Sequence, residues 1–286
     1  MSHRYTWPVQ VRHYELSRAG QARPEVYLNW MQEAGVMASA HAGYPLERYA
    51  AMGAFWWVRR FLIEWHGSVR YGDTLGVTTW ISAFRRVRAH REYEVRRSAD
   101  GSLVLSAQAD WPFVDLATGQ LIRFPEDMAT SFPPDGISAI RPFTWPADSA
   151  SDGKDVFASP RLVQYHELDT MGHVNHAAYL VWLLENLKEC ADALGVGTGL
   201  TVAPERLDIE YIRPARESDR LVVTCRLLSG DSPRATYAHE IRPCDEDAVL
   251  VRARSLCRWS GPAGSPPPDA LFRLTAQGPQ DNPCPR

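Results

Sequence analysis

Residues 165–179 read YHELDTMGHVNHAAY, and residues 13–27 read HYELSRAGQARPEVY. The two stretches share a Glu-Leu pair, a glycine and a tyrosine at the same spacing, and the match runs on without a gap through a tryptophan. A second block follows in the same order in each half, with IEW at residues 63–65 and IEY at residues 209–211. Matched blocks in the same order predict two copies of one structural unit.

Each copy is predicted to be a helix followed by an antiparallel meander, which is an α+β order. A short strand, expected at residues 9–15 and again at residues 162–168, leads through a glycine turn into a helix with apolar residues at helical spacing. The second helix carries few charges, so we expect the sheet to wrap it. Runs rich in β-branched and aromatic residues predict the strands, at residues 55–65, 75–83, 92–97 and 103–114, and at residues 207–212, 221–228, 236–242 and 248–259.

The 286 residues are enough for two cores. We predict an N-terminal unit at residues 1–128, a linker at residues 129–159, a C-terminal unit at residues 160–260 and a tail at residues 261–286. Linker and tail are rich in Pro, Gly, Ser and Asp, which is typical of connecting segments. The tail is expected to be disordered or to lie loosely on the fold.

The composition is ordinary for a globular protein, with 45% apolar residues, 23% charged residues and a formal net charge of -3. This balance predicts neither nucleic acid nor an anionic membrane as a partner. No apolar run approaches the roughly 18 residues that cross a bilayer, and no signal peptide is recognisable. The five cysteines form no CxxC pair and are odd in number, so neither a zinc site nor a disulfide framework is expected. We expect a soluble, cytoplasmic protein.

The second copy concentrates side chains that can act on a carbonyl group. Asp169 could serve as a base or nucleophile, or could position water. His173, Asn175 and His176 could polarise a carbonyl, donate hydrogen bonds or move protons. The amide groups of the helix that begins near Asn175 could hold an oxyanion. Glu185, further along that helix, could be a second acid.

Each of these residues also has a structural interpretation. Asp169 or Asn175 could simply cap the helix, and one of the two histidines could be structural. Glu185 recurs as Glu33 in the first copy, so a structural salt bridge shared by both copies is an equal alternative.

The first copy lacks the candidate side chains of the segment before the helix and at its start, which is expected of a unit retained for packing. It has Ser17, Gln21, Arg23 and Pro24 at the positions of Asp169, His173, Asn175 and His176.

The segment from Glu167 to Tyr179, an acidic residue followed by Gly-His-Val-Asn, resembles the active-site segment of hotdog-fold thioesterases. Over residues 5–128 and 160–260 the chain is similar to the fatty acyl-ACP thioesterases. The resemblance implies a tandem double hotdog, each copy a long central helix wrapped by an antiparallel sheet. It implies hydrolysis of an acyl-ACP or acyl-CoA thioester in fatty acid biosynthesis, with acyl carrier protein or coenzyme A as the partner and no metal or organic cofactor. The chain could also form a homodimer.

Two departures limit the resemblance to the plant enzymes. The plant-type segment has an asparagine where this chain has Met171, and it has a Glu-Cys pair where residues 211–215 have neither. The plant-type network is therefore expected to match only at Asp169 and His173. Simpler bacterial hotdog thioesterases, in which the Asp and a histidine at the position of His176 dominate, are the alternative comparison.

Other interpretations stay open. A hotdog hydratase or dehydratase would need a histidine with a partner acid, and a non-catalytic acyl-thioester-binding protein would fit if Asp169 were only a cap. The first copy could line an acyl pocket, or its aromatic residues could be ordinary core. The basic run at residues 85–91 could meet the acidic surface or the phosphates of a carrier, or could be a solvated strand face. The aromatic residues are Phe55, Trp56, Trp57 and Phe61. The same two interpretations apply to the basic residues near the run, which are Arg59, Arg60, Arg96 and Arg97.

Overall fold

The computed structural model describes residues 4–147, 156–265 and 267–272 of the chain. The chain divides into two compact units, Met1–Pro142 and Phe143–Arg286. Each unit contains one helix of 18 residues and strands that pair antiparallel.

The first unit has its strands in the order β1-β4-β5-β6-β3, with β2 pairing with β6. Its long helix starts with a proline at the first helical position, where the missing N–H costs nothing. The elements are α1 (Pro24–His41), α2 (Leu46–Met52), α3 (Glu126–Ser131), β1 (Tyr5–Gln10), β2 (Ala54–Trp56), β3 (Arg60–Trp65), β4 (Thr74–Arg85), β5 (Arg88–Arg97) and β6 (Leu103–Asp115).

The second unit has its strands in the order β7-β9-β10-β11-β8. Its long helix ends just before Gly195, whose φ of 73° suits the left-handed position that follows a helix. The elements are α4 (His176–Ala193), β7 (Val156–Leu162), β8 (Thr201–Tyr211), β9 (Arg220–Asp231), β10 (Arg234–Pro243) and β11 (Val251–Ser260).

The core of each unit lies where its long helix meets buried strand residues. Alternate residues of β9 and β11 are buried, as expected for strands with one face on a core. In the second unit Leu187 of α4, Tyr237 of β10 and Trp259 of β11 belong to one buried cluster. In the first unit an aromatic cluster forms around Tyr49 and Phe113.

The repeat extends to individual hydrogen bonds. The Ser17 amide donates to the Gln21 carbonyl at 2.7 Å, and the Asp169 amide donates to the His173 carbonyl at 2.7 Å. The glycine in each turn has a positive φ, 73° at Gly20 and 71° at Gly172, so both turns need a residue without a β-carbon. The same backbone frame therefore precedes the long helix in both units.

The predicted bounds of the short strand before each long helix are wrong, because both strands lie nearer the N-terminus than the sequence pattern indicated. Strand β1 ends at Gln10 and β7 at Leu162, and 3₁₀ turns occupy residues 13–15 and 165–167 instead. A glutamate closes each turn, because its carboxylate accepts a hydrogen bond from the backbone three residues earlier, at 2.7 Å for Glu15 and 2.8 Å for Glu167. Such side-chain bonds compete with strand pairing.

The tail departs from the expectation of a loosely held segment. Leu271 is 2% exposed and belongs to the core cluster of the second unit. Part of the predicted linker (residues 148–155) and of the tail (residues 273–286) lies outside the described residues. Helices α2 and α3 are also additional to the sequence prediction.

Three cysteines, Cys190, Cys225 and Cys257, are buried free thiols. Among the described residues, no helix is long and apolar enough to cross a membrane.

Candidate functional site

Asp169 lies in a closed turn that leads from the 3₁₀ turn into α4. Leu168 and Val174 form an isolated antiparallel bridge, which closes the loop at its base. The Asp169 Oδ1 atom accepts hydrogen bonds from the Met171 amide at 2.8 Å and, more weakly, from the His173 amide at 3.4 Å. The carboxylate therefore fixes its own turn, as short acidic side chains often do. It does not cap α4.

Asn175 is the residue that caps α4. Its Oδ1 atom accepts a hydrogen bond from the Ala177 amide at 2.9 Å, and its carbonyl accepts one from the Ala178 amide at 2.9 Å. Asn175 is thus the N-cap of α4, which is one of the two interpretations that the sequence left open. The Ala177 amide is consequently engaged, so an oxyanion at this helix end would rely on the helix dipole and on side-chain donors.

His176, the first residue of α4, is buried and lies edge-on to the ring of Tyr211, with ring centroids 6.3 Å apart. Burial lowers the pKa of His176 to about 4, so its imidazole is neutral at pH 7. The Tyr211 hydroxyl donates to the His176 carbonyl at 3.1 Å, and its ring packs on Tyr179. Tyr211, which packs on Tyr179, therefore stabilises the first turn of α4.

His173 is the more accessible histidine of the segment. Its pKa is lowered by burial and by the positive charge of Arg216, and the negative charge of Asp169 opposes the shift. The charges of Asp169 and Arg216 thus act on this imidazole in opposite directions. A lowered pKa favours the neutral imidazole, which has one ring nitrogen that can donate a hydrogen bond and one that can accept.

The turn between β8 and β9 is bonded to the same segment. The Ala215 amide donates to the Tyr179 hydroxyl at 2.8 Å, and the Val174 amide donates to the Ala215 carbonyl at 2.9 Å. This turn contains Arg216, so the charge of a residue far along the chain acts on His173. The spacing of residues in the sequence predicts neither hydrogen bond of Ala215.

Glu185 lies on α4 in an ion pair with Arg161, at 2.8 Å. Arg161 also bonds Glu167 at 2.5 Å, and Glu167 accepts a hydrogen bond from Trp182 at 2.8 Å. Burial alone would raise the pKa of Glu167, but the hydrogen bonds from Gln164, Arg161 and Trp182 outweigh it and lower that pKa. Glu185 thus takes part in an ion pair, as its structural interpretation expects, and both its structural and its catalytic role stay predictions.

The buried Glu–Trp pair was not identified from the sequence as functional, although a signal was present. The Trp30 indole donates to Glu15 at 3.1 Å in the first unit, with the same separation along the chain as Trp182 and Glu167. A glutamate and a tryptophan that recur together at one spacing indicate a paired structural role. The pair fixes the 3₁₀ turn to the long helix in both units.

Several of the basic residues at positions 85–97 form ion pairs within the first unit. Arg88 pairs with Asp110 at 2.6 Å and Arg96 with Glu94 at 2.9 Å. Arg97 forms an ion pair with Asp73, and Arg91 is buried. Arg85 and Arg86, at the tip of the β4–β5 hairpin, are exposed. The surface available to an acidic partner is therefore narrower than the sequence suggested.

Among the described residues, no group of three or more histidine, cysteine and acidic side chains is arranged to hold a metal ion.

Two family models match the chain, one in each half. The acyl-ACP thioesterase N-terminal domain matches residues 2–132, and the thioesterase-like superfamily matches residues 163–267. The chain is 22% identical to the chloroplastic oleoyl-acyl carrier protein thioesterase 1 of Arabidopsis thaliana over 280 residues, 87% of this chain and 74% of the relative. It spans about half the length of several other plant acyl carrier protein thioesterases that it matches.

Two solved structures share the fold of this chain. The 12:0-ACP thioesterase of Umbellularia californica superposes with a TM-score of 0.71 at 20% identity, over 90% of this chain and 95% of that chain. An acyl-ACP thioesterase of Bacteroides thetaiotaomicron does so with a TM-score of 0.73 at 16% identity, over 90% and 98%. At such identities the likeness shows the fold, which is hotdog-like. The chain therefore has a hotdog-like fold, matches an acyl-ACP thioesterase domain in its first half and a thioesterase-like domain in its second, and is a thioester hydrolase homologous to the acyl-ACP thioesterases.

Proposed function

We propose that this protein is an acyl thioesterase that hydrolyses an acyl-ACP or acyl-CoA thioester to the free acid and the thiol, in fatty acid biosynthesis. In this proposal the chain is a tandem double hotdog whose second unit carries the active site. The observation that supports it most is the Asp169 carboxylate, held by one oxygen in a turn just before α4. The same turn in the first unit has Ser17 instead.

Asp169 is the group proposed to start the reaction. Its Oδ1 atom is bound to backbone amides, and its Oδ2 atom makes no hydrogen bond to any residue of the described ranges. Acting as a base, Asp169 removes a proton from water, and the water oxygen attacks the thioester carbonyl carbon. The carbon–sulfur bond then breaks, and the thiol leaves with a proton. Acting as a nucleophile, Asp169 would form an anhydride that water cleaves.

The oxyanion is proposed to form near the N-terminus of α4. The positive end of an 18-residue helix favours negative charge there. The side chains of Asn175 and His173 are the candidate hydrogen-bond donors, and neutral His176 is the candidate for moving a proton. Preorganised donors of this kind contribute on the order of 10²-fold or more to the rate.

The test is thiol release from acyl-ACP and acyl-CoA thioesters of about 4 to 18 carbons. We expect turnover with the wild type and a loss of at least ~100-fold in Asp169→Ala, as removal of a general base predicts. Ser17→Ala, which changes the equivalent turn of the first unit, is the matched control and should keep full activity. Equal turnover in wild type and Asp169→Ala would remove Asp169 from the mechanism. No turnover on any thioester would favour a binding role.

Glu185 can be tested separately, because its ion pair with Arg161 is half-exposed and contributes little to stability. If Glu185 is structural, Glu185→Gln should keep kcat/KM within about three-fold of the wild type, well short of the loss expected for an acid–base residue. A loss comparable to that of Asp169→Ala, with unchanged Tm, would show that Glu185 belongs to the catalytic machinery.

A further inference from the structure

Glu167 lies at the junction between the 3₁₀ turn and α4 in the second unit. Its carboxylate accepts hydrogen bonds from a backbone amide of the turn and from the Trp182 indole, both at 2.8 Å. Its carbonyl accepts one from the Asn175 amide, also at 2.8 Å. The chain between Glu167 and Asn175, which we call the Asp169 segment (residues 168–174), therefore has both of its ends fixed at Glu167.

The Glu167 carboxylate is a buried negative charge, with its side chain 6% exposed. Burial by itself raises the pKa of Glu167, but the hydrogen bonds that the carboxylate accepts outweigh burial and lower that pKa, so the group is ionised at pH 7. A buried charge is costly unless a group of opposite charge lies beside it. That group is Arg161, whose Nη2 atom lies 2.5 Å from Oε1 of Glu167.

Arg161 links three elements of the second unit. It belongs to β7, its Nη2 atom bonds Glu167 of the 3₁₀ turn, and its Nη1 atom bonds Glu185 of α4 at 2.8 Å. A planar guanidinium can bond two carboxylates at once from a fixed geometry. The contact with Glu167 is the stronger one, because Glu185 is half-exposed and an exposed ion pair contributes little.

The first unit repeats the bonds of Glu167 at Glu15. The Glu15 carboxylate accepts the Arg12 amide at 2.7 Å and the Trp30 indole at 3.1 Å, and its carbonyl accepts the Arg23 amide at 3.0 Å. The hydrogen-bonded frame around the turn is therefore common to both units.

The arginine on the strand is what the second unit adds to this frame. At the position of Arg161 the first unit has Val9, which is 5% exposed, and the strand register agrees, since Val9 pairs with Leu75 and Arg161 with Leu221. Arg12 lies 3.8 Å from Glu15. The frame thus forms with an apolar residue on the strand, in the unit that has a serine instead of Asp169.

We infer that Arg161 is a positioning residue. Through Glu167 it holds the Asp169 segment, and so keeps the Asp169 carboxylate in a fixed place relative to the N-terminus of α4, where the oxyanion is proposed to form. This inference rests on the proposed thioesterase function. Because Arg161 acts through Glu167, its removal should slow the reaction of bound substrate and leave substrate binding unchanged.

The kinetic test compares exchanges between the two units. Arg161→Val installs the residue of the first unit, and the matched control Arg12→Gln installs the residue of the second unit beside Glu15. Thiol release is measured on the substrate that turns over fastest, at a temperature where each variant is folded. We expect Arg161→Val to lower kcat at least ~10-fold with KM within ~3-fold of the wild type, since small misplacements of a catalytic group are costly. Arg12→Gln should keep both constants.

A second variant separates positioning from stability. Arg161→Val removes the partner of a buried charge, so a fall in Tm is expected. Adding Gln164→Arg gives Glu167 an arginine neighbour at the position that Arg12 has in the first unit, without the link to β7 and α4. We expect this double variant to recover Tm but not kcat. Recovery of kcat together with Tm would show that Arg161 only stabilises the fold, and would overturn the inference.

The Asp169→Asn background shows whether Arg161 acts through Asp169. Residues that act as one unit have non-additive effects. Arg161→Val should therefore cause no further loss of the activity that Asp169→Asn retains. The same fold-loss in both backgrounds would mean that Arg161 affects the rate by another route, and would contradict the inference.

Amide hydrogen exchange of the full chain gives a measurement that does not need turnover. Arg161→Val should speed exchange in the Asp169 segment and leave residues 16–22, the same segment of the first unit, as in the wild type. Unchanged exchange in the Asp169 segment would overturn the inference, while thiol release by the wild type would still support the thioesterase proposal. Faster exchange without any thiol release would overturn that proposal and still support the hold of Arg161 on the segment.

Discussion

The turn before the long helix has the same backbone in both units, but the second unit has Asp169 where the first has Ser17. Asp169 and Ser17 each donate a backbone hydrogen bond at 2.7 Å to the carbonyl four residues later. The Asp169 side chain also accepts the Met171 amide. Replacing it by alanine therefore removes both a charge and a structural bond, and the two effects need to be separated.

Asp169→Asn makes that separation. The amide oxygen of asparagine can still accept the Met171 amide, whereas the negative charge and the basicity are lost. We expect Tm to stay close to that of the wild type and kcat/KM to fall by at least ~100-fold. The measurements are thermal unfolding and thiol release on the substrate that turns over fastest. Retained activity in Asp169→Asn would show that the carboxylate acts only through the turn.

His176 makes a testable contribution to the pH dependence of stability. Its pKa is about 4 in the folded protein and roughly 6.5 in an unfolded chain. As the pH falls from about 6.5 towards 4, the unfolded state takes up a proton that the folded state does not, so the free energy of unfolding decreases. The decrease approaches ~1.4 kcal/mol per pH unit. Above about pH 6.5 the His176 side chain is neutral in both the folded and the unfolded state, so it no longer makes the free energy of unfolding depend on pH.

Urea unfolding at pH 7, 6 and 5 measures this dependence. His176→Gln should lose stability less steeply than the wild type between pH 6 and pH 5. His13→Gln is the control, because His13 is exposed and should leave the slope unchanged. Identical slopes in all three proteins would mean that His176 titrates normally in the folded state.

Among the elements, α1 and α4 begin differently although their backbones repeat. Asn175 caps α4 with its side chain, whereas Arg23, at the start of α1, makes no side-chain cap. Pro24, the first residue of α1, has no N–H, so the start of α1 has one fewer amide without a helical partner. Of the two long helices, only α4 has a side-chain cap.

Asn175→Ala should lower the free energy of unfolding by about 1 kcal/mol, the usual value of an N-cap. Arg23→Ala, the matched change at α1, removes only the half-exposed ion pair with Glu25 and should cost about 0.5 kcal/mol or less. Urea unfolding of both variants gives the comparison. Equal destabilisation would contradict a specific capping role for Asn175.

At the scale of the whole molecule, residues 267–272, which follow β11, contribute to the core of the second unit. Leu271 is 2% exposed in the cluster that includes Leu187 and Trp259. Leu271→Ala should therefore destabilise the protein by about 2–5 kcal/mol, the cost of truncating a buried leucine. Leu46→Ala is the control, since Leu46 is 51% exposed. Similar unfolding midpoints for the two variants would show that the segment does not hold the core.

The sequence by itself determined the features that depend on neighbours along the chain. Helical spacing predicted α1 and α4, runs of apolar residues predicted most strands, and the repeat predicted that Asp169 and Ser17 occupy equivalent turns. The strand starting at residue 55 proved to be two, β2 and β3, because periodicity does not show where pairing is interrupted. The roles of the candidate site residues stay predictions until the variants are assayed.

Only the tertiary structure decided which distant groups meet. The Tyr211 hydroxyl bonds the His176 carbonyl at the start of α4, and the turn after β8 bonds Tyr179 of that helix, so the charge of Arg216 in this turn lowers the pKa of His173. In the sequence Arg91 is one of several arginines in a basic run, yet strand alternation puts it inside while Arg96 lies at the surface. Burial and partnership depend on all the elements packed around a side chain, so no local pattern can supply them.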